Sequence, residues 1–261
     1  MARWLRASAS IAALAVLFGC AAPTPRETAV NLKMHPLGTT VQGGVMVAGK
    51  RIPLDRGDWT VIGTGVRKSN DGNLHVSYML MQTADGKVSK AVEVFSNIGI
   101  MVQDSDLFGG GGPKGWLTHG NCVRDDMHFK EVRKNIRLGA QDCWWVNHWR
   151  MHRSGAGLTE HWKEARKYLA DNAIPAALDM IGVSYRMANK RDYLTVNYFF
   201  DPNIEGQNAP KDIYWNIHSW VTSEWHPNNV RTDANKQQYI DSLIAWGRGW
   251  HGKVKSVVGI D

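Results

Sequence analysis

Cysteine is scarce, with three in 261 residues, at positions 20, 122 and 143. No CxxC spacing and no second cysteine cluster occurs, so zinc-ribbon and thioredoxin-type chemistry have no footing. Catalytic signatures are equally thin. There is no GxSxG nucleophile turn, and "HWRMH" at 148–152 lacks the glutamate of HExxH. The glycine-rich "DLFGGGGPKGW" at 106–116 is not a phosphate loop, because Pro113 precedes Lys114 and Gly115 follows it. That pattern needs Gly-Lys-Ser/Thr opening a helix. Long apolar runs are missing too. The stretch Ala7–Phe18, interrupted by Ser8 and Ser10, falls short of the roughly twenty residues that span a bilayer. No repeat of fixed period and no low-complexity block is present.

Charge of one sign is not massed. Setting aside Arg3 and Arg6 leaves 29 basic against 24 acidic residues, a net +5 spread along the chain. Nucleic-acid binders gather such charge on one face or arm, so no nucleic-acid partner is expected. Weak attraction to anionic headgroups or acidic polysaccharide fits better.

The N-terminus has its own pattern. Arg3 and Arg6 precede a short apolar core that ends in small residues, as in a secretory signal. The run Leu17-Phe18-Gly19-Cys20 resembles the lipobox of bacterial lipoprotein precursors: an aliphatic, a variable and a small residue before a cysteine. Phe18 is bulkier than that family usually has at its position. The resemblance covers only the first twenty or so residues. It implies a signal peptide over 1–19, lipidation of Cys20, and a membrane anchor whose acyl chains each hold by about 0.8 kcal/mol per methylene. Ala21, in place of aspartate, implies sorting to the outer membrane. Residues 20–40, with Pro23, Pro25 and Pro36, are expected to be a tether, and 41–261 a single globular domain.

An exported chain meets an oxidising compartment, so Cys122 and Cys143 are expected to form a disulfide. Closing that loop contributes about 3 kcal/mol. The expected fold class is α+β, a largely antiparallel sheet with two main helices in the C-terminal half. Hairpins are predicted around Ala84-Asp85-Gly86-Lys87 and near 189–191. Strand alternation in "CWWVNHWRMH" sends Cys143, Trp145, Asn147 and Trp149 one way and Trp144, Val146 and His148 the other. "RDDMHFKEVRKNIR" at 124–137 is expected to be weakly helical, and 212–226 to be a strand. Helices are expected after Thr159 and after Thr232 or Asp233, with Gly247 and Gly249 marking close backbone packing or an early end.

Tryptophan is the compositional outlier, twelve in all and seven between Trp144 and Trp225. Three readings apply: packing within strands, stacking on a glycan or gripping a protein, and contact with the membrane interface. The candidate binding surface therefore comprises Trp144, His148, His218, Trp220, Glu224 and His226. His148 and His152 lie too far apart along a strand, about 13 Å, to share a metal. No metal and no cofactor is expected, and no residue is assigned as catalytic. Two functions remain. The first is an outer-membrane lipoprotein acting as a non-enzymatic binding or envelope-structural module for a protein or glycan. The second is a periplasmic or surface hydrolase whose His, Glu and Asp residues meet only in the fold. Replacing Cys20 with Ala is expected to abolish metabolic acyl labelling and to move the protein from the membrane pellet to the soluble fraction.

Overall fold

A computed structural model describes residues 35–68, 74–98, 120–135, 140–150, 158–177, 179–189, 192–204 and 223–259. Two hairpins form the middle of the sheet. β5 (Leu74–Ala84) and β6 (Lys87–Asn97) turn through Asp85 and Gly86, both at positive φ, 51° and 71°. Glycine adopts that conformation freely and aspartate at modest cost, which is why Asp-Gly marks the turn. β9 (Asp179–Ala188) and β10 (Tyr193–Phe200) make the second hairpin, and β10 pairs with β6 to join the two. β4 (Trp59–Lys68), edged by the short β1 (Thr40–Val41), flanks β5. β8 (Ala140–Arg150), edged by β7 (Phe129–Asn135), flanks β9. The result is one antiparallel eight-stranded sheet in the order β1-β4-β5-β6-β10-β9-β8-β7. β2 (Gly44–Val47) and β3 (Lys50–Pro53) form a separate hairpin. The α+β class expected from the sequence is the class observed.

Both faces of the sheet are covered. The first carries Val76, Tyr78, Leu80, Val92, Val94 and Val183, and receives the long helix α4 (Ala234–Val257) with Ile240, Leu243 and Val254 buried. Asp233 caps α4, its carboxylate accepting from the amides of Asn235 and Lys236. Gly247 is the contact point. A Cβ there would lie 2.7 Å from Trp144 Cζ3 and 2.8 Å from Val183 Cγ1, so only glycine lets the helix approach. Gly249 has nothing within 4 Å, and the helix runs on past it.

The second face receives α2 (Glu160–Asp171), which packs on β4 where Gly63 and Gly65 leave room for its backbone. Thr159 occupies the N-cap position without a side-chain cap bond. Glu164 reaches past the sheet edge, where Oε2 accepts from the backbone amide of Thr64 at 2.8 Å and its hydroxyl at 3.0 Å. On the same face a helical turn, α1 (Gly120–Val123), is bonded to β8 through the Cys122–Cys143 disulfide, with Cα atoms 6.0 Å apart. Among the described residues no helix is long and apolar enough to cross a membrane.

Three sequence expectations need revision. Residues 129–135 are a strand, not a helix: Phe129 packs against the first-face core and Val132 against Cys143 and Trp145 on the second. An edge strand with one apolar residue on each face, three apart, imitates a helical stripe. Residues 223–226 are a turn leading into α3 (Pro227–Val230), not the end of a strand, and 205–222 lie outside the described residues. Residues 35–40, expected within the tether, are tied to the sheet: the amide of His35 donates to Tyr78 Oη at 2.9 Å and that of Gly38 to the Val61 carbonyl at 2.8 Å. The loop at 106–116 lies outside the described residues.

The helix contact makes a paired prediction. Gly247→Ala overpacks the Trp144–Val183 surface, an error costing about 1–3 kcal/mol, and lowers the melting temperature by several degrees. Gly249→Ala meets open space, gains about 0.5–1 kcal/mol of helix propensity and raises it. Thermal unfolding followed by circular dichroism measures both.

Candidate ligand-binding cavity

The register of the strands sets residues of the second face in lateral rows. One row runs Cys143, Arg186, Thr195, Phe95, Ser77, Gly65 across β8, β9, β10, β6, β5 and β4. The next runs Trp145, Ser184, Asn197, Glu93, Met79, Gly63. These rows are polar in the middle of a sheet covered on both sides.

Glu93, 5% exposed, anchors the second row. Its Oε1 accepts from Trp162 Nε1 at 2.7 Å and lies 2.9 Å from His161 Nε2, and its Oε2 accepts from Asn197 Nδ2 at 2.8 Å. Four side chains from β6, β10 and α2 are thereby locked together. This contact explains why a histidine, His161, is the most buried residue of α2.

Beside this network the first row opens into a cavity of about 390 Å³. Gly65, Ser77, Phe95 and Arg186 line it from the sheet, and Thr159 and Glu160 from the start of α2. A Cβ on Gly65 would meet Ser77 Oγ at 2.8 Å, so the glycine keeps the floor clear. Arg186 is the unusual member. It is 6% exposed, its Nη1 donates to Tyr193 Oη at 2.5 Å, and its guanidinium carbon sits 4.7 Å from the centre of the Tyr193 ring. Tyr193 Oη in turn shares a hydrogen bond with Thr195 Oγ1 at 2.7 Å. Arg186 Nε has no partner, and no carboxylate among the described residues pairs with the guanidinium. Burial pulls its pKa down from the usual arginine value, against the opposing pull of Tyr193. A buried cation without a counter-charge costs several kcal/mol; a cation–π contact returns about 2.

Other polar atoms on this face share the condition. Both amide atoms of Gln141, Ser184 Oγ, Asn197 Oδ1 and His161 Nδ1 are buried with no hydrogen-bond partner. Each such group costs about 1–3 kcal/mol unless something meets it. A second cavity of about 280 Å³ lies under the other half of α2, lined mainly by apolar side chains such as Met79, Ala91 and Leu169.

The residues singled out in the sequence lie elsewhere. Trp144 is 1% exposed in the core beneath α4, and so belongs to no open surface. His148 and His226 do approach each other, ring centres 5.9 Å apart, at 2% and 5% exposure. They are joined by His128, 6.5 Å from His148, which sequence reasoning passed over because it fell in the segment expected to be helical. His226 Nδ1 accepts from the amide of Asn228 and caps α3. Glu224 pairs with Lys236 at 2.7 Å, and Asp201 accepts from the amide of Asn203. His148 and His226 are buried, and His128 is half-buried. Among the described residues no group of three or more His, Cys, Asp or Glu side chains is placed to hold a metal ion. His218, Trp220 and His152 lie outside the described residues, as does Cys20. Arg186 and Tyr193 were missed, although an arginine inside "MIGVSYRMA" is the kind of signal that marks them: a charge within a strand apolar on its other face.

No protein-family model, curated protein or solved structure matches the chain.

His128 carries a pH prediction. Burial, with the nearby His226 and Arg231 as lesser causes, depresses its pKa from 6.5 to about 4 against the opposing hydrogen bond between its Nε2 and the Trp225 carbonyl at 2.9 Å. Below about pH 6.5 the unfolded chain takes up a proton that the folded chain refuses, so stability is fully present above that pH and is lost as pH falls toward 4. Burial, followed by the charges of Arg231 and Arg124, moves His226 in the same direction, against the opposing pull of Asp126. Melting temperature measured from pH 7 to 4 is expected to fall, and His128→Asn to flatten the decline.

Proposed function

We propose that this chain is an outer-membrane-anchored lipoprotein whose folded domain is a non-enzymatic binding module, holding a small ligand in the cavity beside α2. The lipobox-like run ending at Cys20 supports the anchor and an envelope location. The reading of the domain is carried by one observation: Arg186, 6% exposed and without a carboxylate partner among the described residues, lines the cavity. A face that serves packing alone is cheaper when apolar. Polar groups held there at a cost have their use in meeting a ligand.

The cavity volume is at the lower end of the range for small-molecule sites, about 300–1,000 Å³, which favours a compact molecule over a glycan chain. The hydrolase alternative has less support, since His148 and His226 are buried and Glu224 is engaged by Lys236. The experiment is to incubate the detergent-solubilised full-length protein with an envelope extract, wash it, and identify released molecules by mass spectrometry. Ser77→Leu, which projects a larger side chain into the cavity, is the control, with its melting temperature checked against wild type. A small molecule retained by wild type and lost from the folded variant is the expected result; identical profiles from the two overturn the reading.

A further inference from the structure

The binding-module reading leaves the chemistry of the ligand open, and Arg186 narrows it. Its guanidinium is held from one side only. Tyr193 takes Nη1 and lies against the plane of the group, and Thr195 fixes the tyrosine hydroxyl. Arg186 lines the cavity, and behind the group its Nε is buried without a protein acceptor. The N–H groups of an arginine match the paired oxygens of a carboxylate or phosphate.

Three further features agree with an anion. Arg67 contributes a second cation at the exposed rim. The twelve-residue helix α2 starts at the cavity and its N-cap residue Thr159 makes no side-chain cap bond, so the positive end of the helix dipole faces the same space. The acidic residue of the lining, Glu160, lies at the exposed mouth and is paired with Lys163 at 3.2 Å. Phe95, in the same lateral row as Arg186, offers an apolar surface across the floor.

We propose that the cavity takes a small organic oxyanion, a carboxylate or phosphate monoester on an apolar body, with the anionic group against Arg186 and the body against Phe95. The proposal rests on the binding-module reading above. Carboxylate and phosphate share the recognition chemistry, and the choice between them is made by measurement.

The probes are benzoate, phenyl phosphate and the neutral benzyl alcohol, titrated calorimetrically into detergent-solubilised full-length protein, with detergent alone subtracted. One or both anions are expected to bind wild type more tightly than benzyl alcohol, the tighter of the two naming the headgroup. Arg186→Gln is expected to weaken the anions about tenfold or more and to leave benzyl alcohol unchanged. Arg186→Lys, which keeps the charge and loses the fork, restores part of the affinity. If Arg186→Gln does not fold, Tyr193→Phe replaces it, since loss of the hydroxyl releases Nη1 and is expected to weaken the anions alone. Benzyl alcohol binding as tightly as the anions, or anion affinity indifferent to these variants, overturns the oxyanion assignment while the cavity remains a binding site. Failure of all three probes overturns the assignment as well, and the Ser77→Leu extraction then decides the binding reading separately.

Discussion

The carboxylate of Glu93 takes hydrogen bonds from Trp162 and Asn197 and the ring nitrogen of His161, and through them it fixes how far α2 stands from the sheet. Besides that contact the helix is held by Ala165, by partly buried apolar side chains and by the bonds of Thr64 to Glu164. The spacing matters on both sides of the carboxylate. Toward the start of the helix it leaves the cavity with Arg186 in its wall, and toward the end it leaves the second, apolar one. A buried carboxylate is stabilising only when its oxygens are satisfied. Here both are.

The two faces of the sheet obey different rules. The first is mainly apolar, with α4 against Trp144 and Val183 at a glycine where a single methyl group is too much, and its buried Asp142 is met by His251 of that helix. The second tolerates buried hydroxyls, amides and a cation in adjacent strands. Placing the polar face opposite the well-packed one lets the latter supply stability while the former carries groups that reduce it, a division seen where binding and folding compete.

Local signals survived translation into structure where they concerned neighbours in sequence. Asp85-Gly86 is a turn because of backbone conformation at those two residues, and the alternation from Cys143 to Trp149 appears as opposite faces of β8. The interior position of Trp144 depends instead on α4, about a hundred residues later, which no pattern around Trp144 announces. His128 meets His148 only because β7 pairs with β8, and β7 itself was hidden by apolar residues spaced as on a helix. The cavity is harder still to read. Gly65, Ser77, Phe95 and Arg186 come from four strands, and their common row is a product of register across three strand pairings and the joining of two hairpins.

Among the described residues the sheet is open, with β4 and β7 near its limits, and an open sheet invites another chain to add a strand. Glu164 answers this at one limit by occupying the amide of Thr64, where a foreign carbonyl would otherwise dock. At the other, β7 pairs with β8 alone among the described residues and presents Lys130, Glu131 and Arg133 with their own ion pairs. Copies anchored in one plane, as proposed for this protein, meet at far higher local concentration than copies in free solution. Blunted sheet margins then decide whether neighbours on a crowded membrane remain separate molecules or zip into ribbons.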